Sequence, residues 1–182
     1  MSEPAEELPK LRPPDHAAGE LEVPSGVQVL EGSPVGGRRG VAIVVAKFNG
    51  EITSRLLEAA LGELERAGVG RDATTVVPVP GAFELPLAAM ALAKTRRYSC
   101  VVALGCVIRG ETAHFDYVAG EAASGLQLAA LETGVPVAFG VLTTEDAEQA
   151  EARIDKGAEA VRTALEMADL FSQLRAAAQA TK

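Results

Sequence analysis

The stretch GCVIRGETAHFDYV at 105–118 carries an arginine, a glycine, a glutamate, a threonine and a histidine straight after an apolar run that extends from Cys100 to Ile108. Arg109, Gly110, Glu111 and Thr112 combine a cation, a residue that lets a ligand approach the backbone closely, and a hydroxyl. If a helix begins just beyond them, its unpaired N–H groups add a positive dipole end, and the set suits an anion such as phosphate. The competing reading is a loop in which Arg109 and Glu111 pair or face solvent. His114 is the only histidine besides His16. Imidazole titrates nearest neutrality, so His114 can transfer protons under cellular conditions or take a structural place.

Similar chemistry follows three other apolar segments. Lys47, Phe48 and Asn49 follow VAIVVA at 41–46, and Pro80, Gly81, Ala82, Phe83 and Glu84 follow TTVVPV at 74–79. Phe139 and Thr143 are read as the contribution of VPVAFGVLT at 135–143. A phenylalanine just past a strand, as at Phe48 or Phe83, can stack on a flat heterocycle or cap the core beneath it. Glu84 can balance a helix dipole or accept hydrogen bonds from a ligand N–H.

These groups meet only if the strands that carry them run parallel. VAIVVA is apolar throughout and β-branched, as a strand buried on both faces requires. Leu56, Leu57, Ala60, Leu61 and Leu64 repeat at helical spacing within 53–67, with Thr53 or Ser54 as N-cap and Gly68 as stop. GAFELPLAAMALAKTRR predicts a helix beginning near Phe83 or Glu84, since Pro86 is tolerated only in a first turn. A strand at 99–108, a helix at 116–132, the strand at 135–143, a helix over EDAEQAEAR capped by Thr143 or Thr144, and a last helix at 156–178 complete the alternation. Val161, Leu165, Ala168, Phe171 and Leu174 form the inner face of that last helix. Strands alternating with helices predict right-handed crossovers and an α/β/α sandwich around a central, mostly parallel four-stranded sheet. Ligands of such sheets bind outside the carboxyl ends of the strands, where all four groups belong.

A chain of 182 residues suits one domain. Residues 1–25 are rich in Pro, Glu and Ala and poor in bulky apolar residues, and are expected to be a disordered acidic tail that includes His16, leaving 26–178 as the single domain. The formal net charge of −8 disfavours nucleic acid and anionic membrane as partners. Cys100 and Cys106 lie on one strand about 20 Å apart, too far for a disulfide, and read as buried thiols of a reducing compartment. No apolar stretch has the length of a membrane span and the N-terminus lacks a secretory pattern, so a cytoplasmic location is expected. No metal-ligand spacing is visible and no glycine-rich nucleotide loop follows any strand, so nucleotide cofactors have no support in the sequence.

Taken in order, KFNGEIT at 47–53, VPGAFELP at 79–86, ALGCVIRGETAHFDYV at 103–118, PVAFGVLTTEDAEQA at 136–150 and KGAEA at 156–160 resemble the 6,7-dimethyl-8-ribityllumazine synthase family of riboflavin biosynthesis, from about Val27 to Leu174. The resemblance implies a flavodoxin-like fold and a cofactor-free condensation of 5-amino-6-(D-ribitylamino)uracil with 3,4-dihydroxy-2-butanone 4-phosphate. It further implies that Phe48 stacks on the pyrimidine, that Ala82, Phe83 and Glu84 hold the ring and ribityl chain, and that Cys106, Val107 and Ile108 line the same pocket through backbone groups. Glu111 and Thr112 would bind the butanone phosphate and His114 would donate protons, while Phe139 and Arg153 would reach the site from a neighbouring subunit. Members of the family form pentamers with sites at subunit interfaces, and some assemble pentamers into a hollow icosahedral shell. VQVLEGSPV at 27–35 resembles the N-terminal strand that pairs with a neighbour in shell-forming members.

One departure from the family concerns Arg153 and Lys156, which are separated only by Ile154 and Asp155 where relatives carry several more residues. The short link bears on the assembly and on the reach of Arg153. It leaves open an alternative, a flavin- or lumazine-binding or shell-forming protein with impaired catalysis.

Overall fold

The computed structural model describes residues 21–37 and 39–180. The tail expected over 1–25 therefore lies almost wholly outside the described residues. Four strands form one parallel sheet: β1 (Val41–Ala46), β2 (Thr74–Val79), β3 (Cys100–Ile108) and β4 (Val137–Thr144), in the spatial order β2-β1-β3-β4. Helices α1 (Gly50–Arg66), α2 (Leu85–Lys94) and α3 (His114–Thr133) connect successive strands, and α4 (Ala147–Glu151) and α5 (Lys156–Ala180) follow β4.

The side-chain alternation of the strands builds a core on each face of the sheet. Val41, Ile43 and Val45 of β1 pack with Leu56 and Leu64 of α1 and with Val161 and Leu165 of α5. Ala42, Val44 and Ala46 face the other way, toward Leu85 and Ala89 of α2 and Ala122 and Leu126 of α3. All six residues of β1 are buried. This is why its sequence is apolar without alternation, and full burial of each valine or isoleucine there contributes about 1.5–3 kcal/mol. The result is the expected three-layer α/β/α sandwich.

Two glycines permit the close approach of helices. A Cβ on Gly157, in the first turn of α5, would sit 2.3 Å from the Leu56 carbonyl oxygen of α1, and one on Gly125 of α3 would sit 2.6 Å from Pro86 of α2. Pro86 occupies the first turn of α2, as its missing N–H requires.

Three boundaries differ from expectation, each for a local reason. Helix α1 starts at Gly50, not near Thr53, because Asn49 adopts the left-handed conformation (φ 55°) and its carbonyl accepts the N–H groups of Ile52 and Thr53. Helix α3 begins at His114, two residues before the expected Asp116. The cap of α4 is Asp146, whose side chain accepts the Gln149 N–H at 2.7 Å, whereas Thr144 is the last residue of β4 and pairs with Ile108. On α5, Val161, Leu165 and Ala168 are buried as expected, but Leu174 is exposed.

Residues 27–35, which resemble an N-terminal strand, pair with no strand among the described residues, and Val27, Val29, Leu30 and Val35 are exposed. The segment is tied to α5 through Asp169, which accepts from the Ser33 N–H, the Arg39 guanidinium and the Gln173 amide; Gln173 also donates to the Glu31 carbonyl. Those donors, Gln173 first, hold the Asp169 carboxyl below the usual carboxylate range.

Candidate active site

The strand order reverses between β1 and β3: the chain moves from β1 outward to β2 on one side, then to β3 and β4 on the other. A crevice opens at such a switch point, outside the carboxyl ends of the two strands. The register deepens it. β1 pairs with β3 only as far as Val45 and Leu104, whereas β3 stays paired with β4 up to Ile108 and Thr144. The last residues of β3 therefore have a strand on one side and open space on the other.

The loop after β1 forms one wall. The Lys47 and Phe48 N–H groups donate to the Val79 and Pro80 carbonyls at 2.8 and 3.0 Å, which holds the loop to β2 and leaves the Phe48 ring 70% exposed. Asn49 then spans the gap, its Nδ2 donating to the Cys106 carbonyl at 2.9 Å. One residue thus starts α1, turns the chain and fixes the end of β1 against β3. After β2, a short 3-10 turn over Ala82–Glu84 puts Phe83 at the surface and brings the Glu84 carboxylate beside Gly81, where an added Cβ would lie 3.2 Å from its oxygen.

Phe48, Ala82, Phe83, Glu84, Cys106, Val107 and Ile108, all expected to meet a pyrimidine, line a single cavity of about 550 Å³, together with Thr112 and His114. That volume lies within the range of small-molecule sites, about 300–1,000 Å³. The Thr112 hydroxyl accepts the His114 N–H at 3.4 Å, at the start of α3. Burial pushes the Cys106 thiol up to about 11, so it stays protonated near neutrality and is no nucleophile.

Three expected residues are not among those that line the cavity: Glu111, Phe139 and Arg153. Glu111 is exposed on the loop between Gly110 and Thr112. Phe139 does not stand at the end of its strand, where the sequence reading had placed it. It is the third residue of β4, paired with Ala103, five positions before Thr144, and hence about 16 Å from that end. Arg153 lies in the turn between α4 and α5, with its Nη1 donating to the Gln149 carbonyl at 2.8 Å.

Arg109 takes the paired alternative. Its Nε donates to Glu145 and its Nη1 to Asp116, each at 3.1 Å, and its guanidinium carbon lies 4.1 Å from the Phe115 ring centre. The Glu145 hydrogen bond, then Asp116, raise its pKa further above the ordinary arginine value.

Sequence reasoning missed Phe115, Tyr117 and Val118, which also line the cavity. The signal was present. Tyr117 and Val118 stand three and four residues after His114, the spacing that shares one helix face, but a helix expected to begin at Asp116 leaves His114 off that face.

A parallel sheet with a heterocycle-sized cavity at its switch point, bearing an exposed aromatic ring, a carboxylate and an imidazole, defines an α/β enzyme acting on a small molecule. Residues 39–172 match the family model described as 6,7-dimethyl-8-ribityllumazine synthase. Proteins named 6,7-dimethyl-8-ribityllumazine synthase from Yersinia pestis (strain Pestoides F) and Yersinia pseudotuberculosis serotype O:1b (strain IP 31758) are each 53% identical over 155 residues, covering 82% of this chain and 99% of the relative. The chain belongs to the 6,7-dimethyl-8-ribityllumazine synthase family.

Proposed function

We propose that this cavity is where the chain condenses 5-amino-6-(D-ribitylamino)uracil with 3,4-dihydroxy-2-butanone 4-phosphate to give 6,7-dimethyl-8-ribityllumazine, phosphate and water. The observation that carries the reading is the convergence of Phe48, Glu84, Thr112 and His114 on one cavity from loops after three different strands. Phe48 stacks on the pyrimidine ring, and its exposed face is free to do so. Ala82, Phe83 and Glu84 hold the ring and the ribityl chain, with the Glu84 carboxylate accepting from N–H or hydroxyl groups. Of Cys106, Val107 and Ile108, Val107 turns its backbone groups toward β4, while Cys106 and Ile108 can offer theirs, the Cys106 carbonyl being already engaged by Asn49. In a parallel strand the N–H and C=O of one residue point the same way. Those of Ile108 point as Cys106 does, toward the side where β1 has ended.

Glu111 and Thr112 position the butanone phosphate near the N-terminal end of α3, where unpaired N–H groups favour an anion. His114, in the first turn, supplies the proton transfers that imine formation, phosphate elimination and ring closure each require. The amino nitrogen attacks the ketone and a first water leaves to give the imine; proton loss then lets the phosphate depart with the C–O electron pair, the resulting enol becomes a ketone, and the ribitylamino nitrogen attacks that ketone and closes the second ring as a second water leaves.

The functional unit is a homo-oligomer, read as a pentamer or a shell of pentamers, in which Phe139 and Arg153 of one subunit complete a neighbour's site. That neither lines the cavity of its own chain supports this. So does a band of exposed apolar side chains on α2 and α3, Leu87, Tyr117, Leu128 and Leu131, which a lone subunit would leave in water. Residues 26–178 act as one domain, and the two free buried cysteines suit the cytoplasm.

A steady-state assay at saturating pyrimidine, varying the butanone phosphate and following lumazine absorbance, tests the reading. Saturable turnover supports it and shows that the short 153–156 link still presents an anion-binding group. Pyrimidine binding without turnover would overturn it.

A further inference from the structure

Arg109 stands at the start of the loop that carries Gly110, Thr112 and His114, and as a cation beside an anion site it invites assignment as a phosphate ligand. Its surroundings argue otherwise. The guanidinium is shared between two carboxylates, Glu145 through Nε and Asp116 through Nη1, and lies over the Phe115 ring at 4.1 Å. Two carboxylates against one guanidinium leave the cluster with a net negative charge, which repels a phosphate. Phe115 lines the cavity and Arg109 does not.

What the guanidinium does hold together is the frame of the loop. The Arg109 N–H donates to the Thr144 carbonyl at 2.9 Å, the last bond between β3 and the end of β4. From that point the side chain reaches sideways to Glu145, just beyond β4, and forward to Asp116 in the first turn of α3. The loop between these anchors carries little of its own. The His114 N–H meets the Thr112 hydroxyl only at 3.4 Å, longer than a normal bond of this kind.

We propose that Arg109 is a positioning residue of the condensation and not a ligand of the butanone phosphate: by bridging Glu145 and Asp116 it sets the first turn of α3, and with it His114, against the end of β4. The proposal rests on the assignment of His114 to the reaction made above. Because the ion pairs are solvent-exposed, they add little to stability, and their loss acts on geometry first.

The test uses the full-length protein with Arg109→Gln and Arg109→Lys. It measures kcat, the KM for each substrate, inhibition by inorganic phosphate, and pyrimidine affinity by titration. Misplacing a reacting group by about 1 Å costs on the order of 100-fold, so Arg109→Gln is expected to lower kcat roughly 10–100-fold while the KM for the butanone phosphate and the phosphate inhibition constant move less than about threefold. Arg109→Lys is expected to restore little, since an ammonium cannot hold two carboxylates in one plane and stack on a ring. A KM and an inhibition constant that rise about tenfold or more in Arg109→Gln and recover in Arg109→Lys would overturn the proposal, as would unchanged kinetics.

Asp116→Asn and Glu145→Gln decide the matter even if the Arg109 variants fail to fold. The proposal expects a lower kcat at unchanged KM, whereas a liberated phosphate ligand would lower the KM. A wild-type chain without turnover would instead remove the reaction assignment on which this proposal rests, and is read separately from the variants.

Discussion

Asn49 gives the sharpest test of how the site is built, because its backbone and its side chain do separable things. The backbone is left-handed, at φ 55°, and the side chain donates to the Cys106 carbonyl at 2.9 Å. Asn49→Gly keeps the permitted conformation and loses only the bond, worth about 0.5–1.5 kcal/mol. Asn49→Ala loses the same bond and also forces a Cβ without a compensating polar group into the left-handed region, an extra cost of about 1–2 kcal/mol. The expected destabilisation is therefore about 1 kcal/mol for glycine and about 2–3 kcal/mol for alanine. Urea unfolding at one fixed protein concentration measures both, since an oligomer's stability depends on concentration. Both variants also free the loop after β1 from β3, so the pyrimidine KM should rise while the butanone phosphate KM changes less. Equal destabilisation by glycine and alanine would refute the backbone part of the reasoning. An unchanged pyrimidine KM would refute the coupling of Phe48 to the β3 edge.

Three further outcomes follow from other parts of the structure. Gly157→Ala should destabilise the fold by about 1–3 kcal/mol, read by the same unfolding assay, because the new methyl would collide with the Leu56 carbonyl, a backbone atom with little room to yield. Asp169→Asn should lower stability at neutral pH. Since the folded carboxyl titrates below its ordinary value, its stabilisation is present above that value and is lost as pH falls through the lower folded one, so the two proteins should converge in acid and diverge above about pH 4. Alkylation of Cys106 should be slow at neutral pH and accelerate about tenfold per pH unit up to about pH 11, with bound pyrimidine protecting the thiol.

The strands were legible because burial on both faces leaves an unambiguous mark: VAIVVA and CVVALGCVI contain no charged residue, and each became a strand within a residue of the expected limits. The convergence of Phe48, Glu84 and His114 followed from topology alone, since parallel strands bring their carboxyl ends together wherever the intervening helices lie. Helix starts were less legible. Asn49 does not cap α1 with its side chain, which is spent on Cys106 across the sheet, and no local pattern announces so distant a partner. Arg109 is a similar case. Its partner Asp116 lies seven residues on, but Glu145 lies thirty-six away, and only the pairing of β3 with β4 makes it a neighbour. Phe139 was misjudged because an eight-residue strand was treated as though its aromatic residue marked its end.

In the proposed reaction one cavity binds the pyrimidine through Phe48 and Glu84, and His114 then moves the protons of the condensation. The most direct measurement compares His114→Ala with the unaltered protein for turnover and for pyrimidine affinity. A fall in kcat of about 10²–10⁴-fold is expected, with the pyrimidine dissociation constant nearly unchanged. Undiminished turnover would contradict it.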